Sequence, residues 1–281
     1  RKEETERMRV CIRVFGIVQG VGFRPTVKRH ADACDIAGSV SNKGPYVEIF
    51  AEGSEECVHS FIKQIQEEPP KRAVILKLDA ENVESGEDGI HKVESETDSK
   101  EKFQIIESEK EEGEIFVSPD IAICPECKKE LYDKNDRRYL HPFINCTCCG
   151  PRLTILDSMP YDRVRTSMGE FPMCEKCEYE YTHAETRRFD AQPVCCNDCG
   201  PEVYLLGRKE RGADAIRYTR KVISEGGIVA VKGIGGFHLC CDAAKEETVA
   251  RLRQRKKRPM KPFAVMMKDL DVVRRECETE P

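Results

Sequence analysis

The chain has 281 residues, of which 39% are hydrophobic and 35% charged, with 51 acidic and 46 basic residues. This length suits two or three compact domains, and the formal net charge of −5 argues against a general nucleic-acid binder. No apolar run approaches the roughly 20 residues of a membrane span, and no apolar core follows the charged start RKEETERMRV, so we expect neither a membrane partner nor a secretory signal.

The first predicted block spans residues 8–107 and alternates between strand and helix patterns. Apolar and polar residues alternate over 8–14, as they do in a half-buried strand. A helical pattern begins at Pro25, which fits the first turn of a helix. Two short strands are then predicted around 38–42 and 46–51, with a tight turn between them.

The second half of this block contains another helix and further strands. Ser54 is a good N-cap, and the apolar stripe of the helix that follows consists of Cys57, Val58, Phe61, Ile62 and Ile65. Residues 74–78 and 103–105 have strand patterns, and the polar, acidic stretch 84–102 is predicted to be an exposed loop. The core order βαββαβ predicts a split-βαβ, ferredoxin-like domain.

The segment GIVQGVGFRP, residues 16–25, lies between the first strand and the first helix and is named here the glycine loop. Its three glycines let backbone N–H groups converge, and the helix N-terminus adds the positive end of a dipole. The planar guanidinium of Arg24 can hold a phosphoryl group through two parallel hydrogen bonds. The loop therefore predicts a metal-free site for a compact dianion. A tight glycine turn beside a surface arginine is the alternative.

Cysteines define the second block, since ten of the 16 lie between residues 124 and 199. Eight form C-x2-C pairs separated by 18, 24 and 18 residues, and RRYLHPFINCTCCGP (137–151) matches RRFDAQPVCCNDCGP (187–201) at an offset of 50 residues. Each repeat supplies four thiolates, enough for one closed tetrahedral site, so we predict two structural Zn²⁺ ions whose binding replaces a missing core. The predicted ligands are Cys124, Cys127, Cys146, Cys149, Cys174, Cys177, Cys196 and Cys199.

Two cysteines of this block, Cys148 and Cys195, break the pattern and are predicted to be free thiols. Redox-active pairs are an alternative to zinc, and the spacing also permits ligand sets that interleave the two repeats. Because no export signal is apparent, the cysteines favour metal ligation in a reducing cytoplasm over disulfides.

The third block begins near residue 212. A helical pattern runs to about 225, an apolar strand covers 228–231, and a glycine-rich turn, a helix at 246–257 and a strand at 263–267 follow. Basic residues after a helix, beside a glycine-rich turn, can neutralise a triphosphate, although a solvated basic helix end is the alternative. A block of about 70 residues is short for a closed α/β domain, so we expect part of a larger one.

Three sets of motifs together resemble one family. GIVQGVGFRP and GSVSNKGPYVEIFAEG (38–53) are similar to the two acylphosphatase signatures. IVAVKGIGGFHLCCDA (228–243) and RLRQRKKRPMKPFAVMM (251–267) look like the YrdC-type nucleotide-binding domain. With a doubled zinc module between them, they resemble the carbamoyltransferases of nickel–iron hydrogenase maturation, the HypF family.

The resemblance predicts an α+β multidomain fold. It comprises a ferredoxin-like acylphosphatase domain (8–107), a linker (108–123), a double four-cysteine zinc-finger module (124–205) and an incomplete α/β YrdC-like portion (212–281). It also implies that Arg24 and Asn42 are catalytic, with Asn42 orienting the attacking water because an amide both donates and accepts. The implied phosphate-binding loop is Gln19, Gly20, Val21, Gly22, Phe23 and Arg24, and the implied nucleotide contacts are Lys232, Lys256, Arg258 and Lys261.

By the same resemblance, the first domain splits carbamoyl phosphate into carbamate and phosphate. The YrdC-like domain then joins carbamate to ATP, a co-substrate carried with Mg²⁺, and the carbamoyl group passes to the C-terminal cysteine of a partner maturation protein through a further domain. Two alternatives are a broad acylphosphatase and a non-catalytic, zinc-dependent module that binds RNA or protein through the basic run 251–261. The acidic net charge disfavours RNA.

Overall fold

The computed structural model describes residues 7–83, 102–109, 111–113, 116–233 and 235–278. The chain divides into two compact units, Arg1–Val203 and Tyr204–Pro281. Except for its last residue, the loop predicted at 84–102 lies outside the described residues. No helix in the part of the chain that the structure describes has the length and apolar character of a membrane crossing.

The first unit begins with a five-stranded sheet and two helices. Its elements are β1 (Arg7–Ile17), α1 (Phe23–Ala33), β2 (Ala37–Asn42), β3 (Tyr46–Ser54), α2 (Glu55–Glu67), β4 (Val74–Asn82) and β5 (Phe103–Ile105). The strand order is β4-β1-β3-β2-β5. Neighbouring strands are antiparallel except β2 and β5, which are parallel. The predicted βαββαβ order is confirmed, with β5 as a fifth strand at the edge.

The two helices and the sheet share one hydrophobic core. Ser54 caps α2 as predicted, its hydroxyl accepting from the N–H of Cys57 at 3.3 Å. The buried stripe of α2 is Val58, Phe61 and Ile65, and each side chain contributes about 1.5–3 kcal/mol through burial. Helix α1 begins at Phe23, two residues before the predicted start, because Gly22 adopts a left-handed conformation as its N-cap and Pro25 fits within the first turn.

The zinc module continues the first unit with little regular structure. It contains α3 (Pro125–Tyr132), α4 (Glu175–Thr182) and three short 3-10 turns at Leu153–Ile155, Arg163–Arg165 and Ser167–Glu170. Cys124 and Cys174 are the N-caps of α3 and α4, so each helix starts at the first cysteine of its repeat. The module's hydrophobic clusters are small and include cysteines, as expected for a fold organised around metal ions.

The second unit contains α5 (Gly212–Ser224), β6 (Val229–Gly233), β7 (Gly236–Cys240), α6 (Glu246–Lys256) and α7 (Leu270–Glu276). Strands β6 and β7 form an antiparallel pair, and only the first of them was predicted. The prediction of a strand at 263–267 is wrong, because this segment is irregular. Among the described residues it has no partner strand, and the ring of Phe263 packs instead beneath the guanidinium groups of Arg253 and Arg258, 4.6 and 5.5 Å from its centroid.

Candidate active site and metal centres

The glycine loop and the first turn of α1 line a cavity of about 20 Å³, the space of roughly one ordered water. Gly20 and Gly22 have φ values of 70° and 79°, which only glycine adopts easily, and they curl the loop into the start of α1. Of the six predicted loop residues, Val21 packs in the hydrophobic core. The other five line the cavity, namely Gln19, Gly20, Gly22, Phe23 and Arg24.

The Arg24 side chain is buried, and its partners are two carboxylates and a hydroxyl. Its Nη1 lies 3.0 Å from Asp162 Oδ1 and 3.2 Å from the hydroxyl of Ser108, to both of which it donates. Its Nε lies 3.1 Å from Asp190 Oδ2. Both carboxylates belong to the zinc module, and Ser108 opens the segment predicted as a linker. The second domain therefore holds the arginine that the sequence assigned to the first.

Because Arg24 and Asp190 are buried, burial and the neighbouring charges both shift their pKa values. Burial lowers the pKa of Arg24, but the carboxylates of Asp190 and Asp162 outweigh burial, so the pKa lies above its ordinary value. Burial raises the pKa of Asp190 against the opposing effect of Arg24. A phosphoryl group entering the cavity would compete with these carboxylates for the guanidinium, since both are anions that accept the same paired hydrogen bonds.

Asn42, at the end of β2, lies in the same cavity lining as Arg24. The residue is 1% exposed, and its side-chain Oδ1 has no hydrogen-bond partner among the described residues. Buried side-chain acceptors are normally paired, so an unpaired amide oxygen facing a small cavity is the acceptor expected for a bound water or ligand.

Arg152 of the zinc module forms a polar bridge between the first repeat and the glycine loop. Its Nε donates to the carbonyl of Gly20. Its two terminal nitrogens donate to four further backbone carbonyls at 2.8–3.2 Å, those of Cys146, Thr147, Cys149 and Pro151. All five N–H groups of this buried guanidinium are thereby used, which fixes the glycine loop against the first repeat.

The eight predicted zinc ligands form two clusters, and both are confined to one repeat. The first cluster is Cys124, Cys127, Cys146 and Cys149, and the second is Cys174, Cys177, Cys196 and Cys199. Five of the sulfur–sulfur separations within them are 3.6–3.8 Å, and all sulfurs of a cluster lie within 4.8 Å of one another. A regular tetrahedron with Zn–S bonds of about 2.3 Å has edges of about 3.8 Å, so both clusters fit Zn²⁺. The interleaved alternative does not occur.

Arginines of each repeat donate to the cluster of the other repeat. Arg137 Nη1 lies 3.3 Å from Cys177 Sγ in the second cluster, and Arg187 Nη1 lies 3.2 Å from Cys127 Sγ in the first. Both arginines also pair with a glutamate on the helix of the cluster they contact. The next residue of each repeat makes the same exchange. Arg138 pairs with Glu180 beside the second cluster, and Arg188 pairs with Glu130 beside the first. These contacts neutralise part of the thiolate charge.

Neither of the two extra cysteines belongs to a cluster. Cys148 is exposed, whereas Cys195 is buried with its Sγ 3.1 Å from His141 Nε2. The other ring nitrogen of His141 lies 3.0 Å from Asn197 Oδ1, and burial lowers the pKa of this histidine to about 4. These contacts join the two repeats through neutral groups. With no accessible surface beside it, the thiol has a structural role.

The predicted nucleotide contacts of the second unit divide into two places. Lys256, Arg258 and Lys261 lie at the C-terminal end of α6 and in the turn after it, which Arg253 closes by donating to the carbonyls of Arg258 and Lys261. Lys232 lies on β6, with its Nζ 5.1 Å from the Phe237 ring centroid. Within the described residues, no contact joins Lys232 to the turn.

The sequence interpretation missed the cavity residues that the zinc module contributes. A signal for one of them was available at the 50-residue offset, where Leu140 of the first repeat corresponds to Asp190 of the second. Both have a φ of 54°, so the backbone is the same and only the side chain differs. Asp162 and Arg152 have no such signal, because they lie where the repeats no longer match.

The ferredoxin-like sheet, glycine loop and paired cysteine clusters define the class as an acylphosphatase domain joined to a double zinc finger. Family models agree. Residues 10–104 match acylphosphatase, 123–156 and 173–206 match the HypF finger, and 221–281 match the Sua5/YciO/YrdC telomere recombination family. An acylphosphatase of Caldivirga maquilingensis is 43% identical over 29% of this chain and 86% of its own length.

Longer relatives extend the match to nearly the whole chain. The probable carbamoyltransferase HypF of Methanocaldococcus jannaschii is 51% identical over 93% of this chain and 33% of its own length. A crystal structure of full-length HypF in a phosphate- and nucleotide-bound form is 45% identical, with a TM-score of 0.87 over 100% of this chain and 36% of that one. The chain belongs to the HypF carbamoyltransferase family, and it spans about a third of the length of these relatives.

Proposed function

We propose that this chain hydrolyses carbamoyl phosphate to carbamate and phosphate in the cavity between the glycine loop and the zinc module. The observation that carries the proposal is that Arg24 and Asn42 line one cavity, where the Asn42 Oδ1 is buried and no described residue is its hydrogen-bond partner. The acylphosphatase relatives support the reaction class, and the phosphate-bound form of a full-length HypF shows that a relative binds this anion.

In the proposed reaction, backbone N–H groups of the loop, the N-terminus of α1 and Arg24 bind the phosphoryl group. Asn42 accepts a hydrogen bond from a water and orients its oxygen towards phosphorus. The water oxygen bonds to phosphorus, the bond from phosphorus to the carbamoyl oxygen breaks, and carbamate leaves with the electron pair. An amide cannot remove the water proton at neutral pH, so a phosphoryl oxygen receives it. Positioning and charge stabilisation account for the catalysis.

Binding requires Arg24 to exchange carboxylate partners for phosphoryl oxygens. A cavity of about 20 Å³ is far smaller than carbamoyl phosphate, so the guanidinium or the carboxylates opposite must shift as the substrate enters. The two carboxylates then compete with the bound anion for the Arg24 guanidinium, and this competition favours release of the phosphate product.

The proposal extends to the rest of the family reaction. The second unit would use Lys232, Lys256, Arg258 and Lys261 to bind ATP, with Mg²⁺, and to adenylate carbamate. The activated carbamoyl group would then pass to the cysteine of a maturation partner through a further domain. The HypF relatives and the nucleotide bound in one of them support these steps.

The decisive experiment measures phosphate release from carbamoyl phosphate by the zinc-loaded chain and by Arg24→Ala and Asn42→Ala. We expect both changes to reduce turnover at least a hundredfold, because one removes the phosphate clamp and the other the water acceptor. Matched controls are Arg29→Ala and Asn82→Ala, since both side chains are exposed. Turnover that survives in Arg24→Ala would contradict the proposal. Comparable turnover of acetyl phosphate would favour a broad acylphosphatase.

A further inference from the structure

The zinc module contributes five polar side chains to the cavity lining, namely Thr147, Arg152, Tyr161, Asp190 and Gln192. Four of them have partners. The Thr147 hydroxyl donates to the Arg187 carbonyl at 2.9 Å. All donors of Arg152 are used by carbonyls, and Asp190 holds Arg24. Gln192 donates to Asp190 and accepts at 2.8 Å from the N–H of Arg163. Only the Tyr161 hydroxyl is without a hydrogen-bond partner within the described residues.

The burial of this hydroxyl is unfavourable unless something binds it. Tyr161 is 4% exposed, so bulk water does not satisfy its oxygen. A phenylalanine would fill the same space without leaving a polar atom unpaired. The five N–H groups of nearby Arg152 donate to backbone carbonyls, and its positive charge acts on the Tyr161 hydroxyl by lowering its pKa against the larger effect of burial.

The glycine loop holds Tyr161 in place. Its backbone N–H donates to Gln19 Oε1 at 3.2 Å, and its ring lies so close to Gly20 that a Cβ there would be 3.4 Å from two ring carbons. The next residue, Asp162, pairs with Arg24. Tyr161 is therefore placed by the same loop that forms the phosphate site, although it belongs to another domain.

We propose that Tyr161 contacts the carbamoyl half of the substrate, its hydroxyl oxygen accepting a hydrogen bond from the carbamoyl NH₂ group. This inference rests on the proposed function. In the proposed reaction the loop and Arg24 bind the phosphoryl group and Asn42 binds the water. Tyr161, which lines this cavity and the neighbouring one beside Phe116, carries the remaining buried polar atom without a partner among the described residues of the zinc-module wall. Burial raises the pKa of Tyr161 to about 12, so the hydroxyl stays neutral at physiological pH.

Such a contact would make the site selective for a carbamoyl group. Acetyl phosphate has the same phosphoryl group and carbonyl but presents a methyl group where carbamoyl phosphate has NH₂. The hydroxyl gains a hydrogen bond with carbamoyl phosphate and gains none with acetyl phosphate, beside which it stays unpaired as it is in the free protein.

The test compares the full zinc-loaded chain with Tyr161→Phe on carbamoyl phosphate and acetyl phosphate. We expect kcat/KM for carbamoyl phosphate to fall about tenfold and that for acetyl phosphate to change less than twofold. Inhibition by inorganic phosphate should be unchanged, since phosphate lacks the acyl half. The matched control is Tyr132→Phe, whose side chain is exposed on α3. Zinc content and thermal midpoint of each variant establish that the fold is intact.

Two outcomes would overturn the inference. An equal loss on both substrates would place Tyr161 beside the phosphoryl group or give it a structural role. An unchanged kcat/KM for carbamoyl phosphate would mean that its hydroxyl meets only water. Failure of the proposed function itself would appear differently, as a native chain that hydrolyses neither acyl phosphate, and it would overturn both proposals.

Discussion

The exchange of arginines between the two repeats predicts that a zinc site is weakened by a change in the other repeat. The perturbation is Arg187→Met, which removes the guanidinium but keeps much of the side-chain volume. At 3.2 Å from the Cys127 sulfur, a unit charge attracts a thiolate by about 5 kcal/mol at an effective dielectric constant of 20. The side chain is 32% exposed and also pairs with Glu130, so solvent and that carboxylate reduce the effect. We expect zinc affinity at the first cluster to fall about 10- to 100-fold, the usual loss when an outer-shell partner is removed.

The assay is competition for zinc with a chromophoric chelator in chains that keep one cluster. In a chain that keeps the first cluster, with Cys174→Ser and Cys177→Ser, Arg187→Met should weaken zinc binding by the stated factor. In a chain that keeps the second cluster, with Cys124→Ser and Cys127→Ser, the same change should have less than about a threefold effect. In the chain with both clusters intact, native mass spectrometry should show one zinc lost before the other.

Arg137→Met is the matched control, because it contacts the second cluster at 3.3 Å and should give the opposite pattern. The reasoning would be refuted if each arginine weakened the cluster of its own repeat. Equal weakening of both clusters by either change would also refute it, since that would indicate general unfolding.

Three other predictions follow from the site and the sheet. Asp190→Asn should strengthen inhibition by inorganic phosphate about tenfold, because Arg24 then has one carboxylate partner to leave, Asp162, instead of two; unchanged or weaker inhibition would contradict this. Removal of zinc by a chelator should abolish phosphate release and restoration of zinc should recover it, because the module supplies the opposite wall of the cavity; full activity in the metal-free chain would show that the domains act separately. Gly38→Ala should lower the free energy of unfolding measured in urea by roughly 3 kcal/mol or more, because its φ is 144° and a Cβ there would lie 1.9 Å from the Phe50 carbonyl oxygen; Gly235→Ala is the control, since no described atom lies within 4 Å of its Cβ position and its φ is not in the left-handed region.

Local sequence signals were enough to predict much of this fold. The alternation of apolar and polar residues along β1 and the Ser54 cap of α2 each depend on residues close together in the chain. The spacing of the cysteines is likewise enough to predict which of them cluster. Strand pairing could not be predicted in the same way. Residues 263–267 have a strand pattern, yet no neighbouring strand pairs with them among the described residues. A strand is stabilised by hydrogen bonds to another segment, so its sequence alone cannot establish that it forms.

The candidate site was only half predictable for the same reason. Arg24 and Asn42 lie within continuous motifs of the first domain and could be identified from them. Tyr161 and Asp162 lie in the irregular segment between the repeats, more than a hundred residues away along the chain. Their position depends on how the zinc module packs on the glycine loop, and that packing rests on single contacts such as Arg152 to Gly20, which leave no periodic pattern.

The reciprocal contacts between the repeats are those of an isologous two-fold interface, in which residue i meets j and j meets i. Arg138 donates to the carbonyl of Cys195 at 2.9 Å, and Arg188 donates to that of Asn145 at the same distance. The two repeats of the module therefore contact each other as the subunits of a symmetric dimer do, within a single chain. In a true homodimer every substitution appears twice, whereas the fused form can change one half alone. Asp190 pairs with Arg24 while its counterpart Leu140 stays apolar, so covalent fusion lets one half of the module serve the proposed anion site without altering the other.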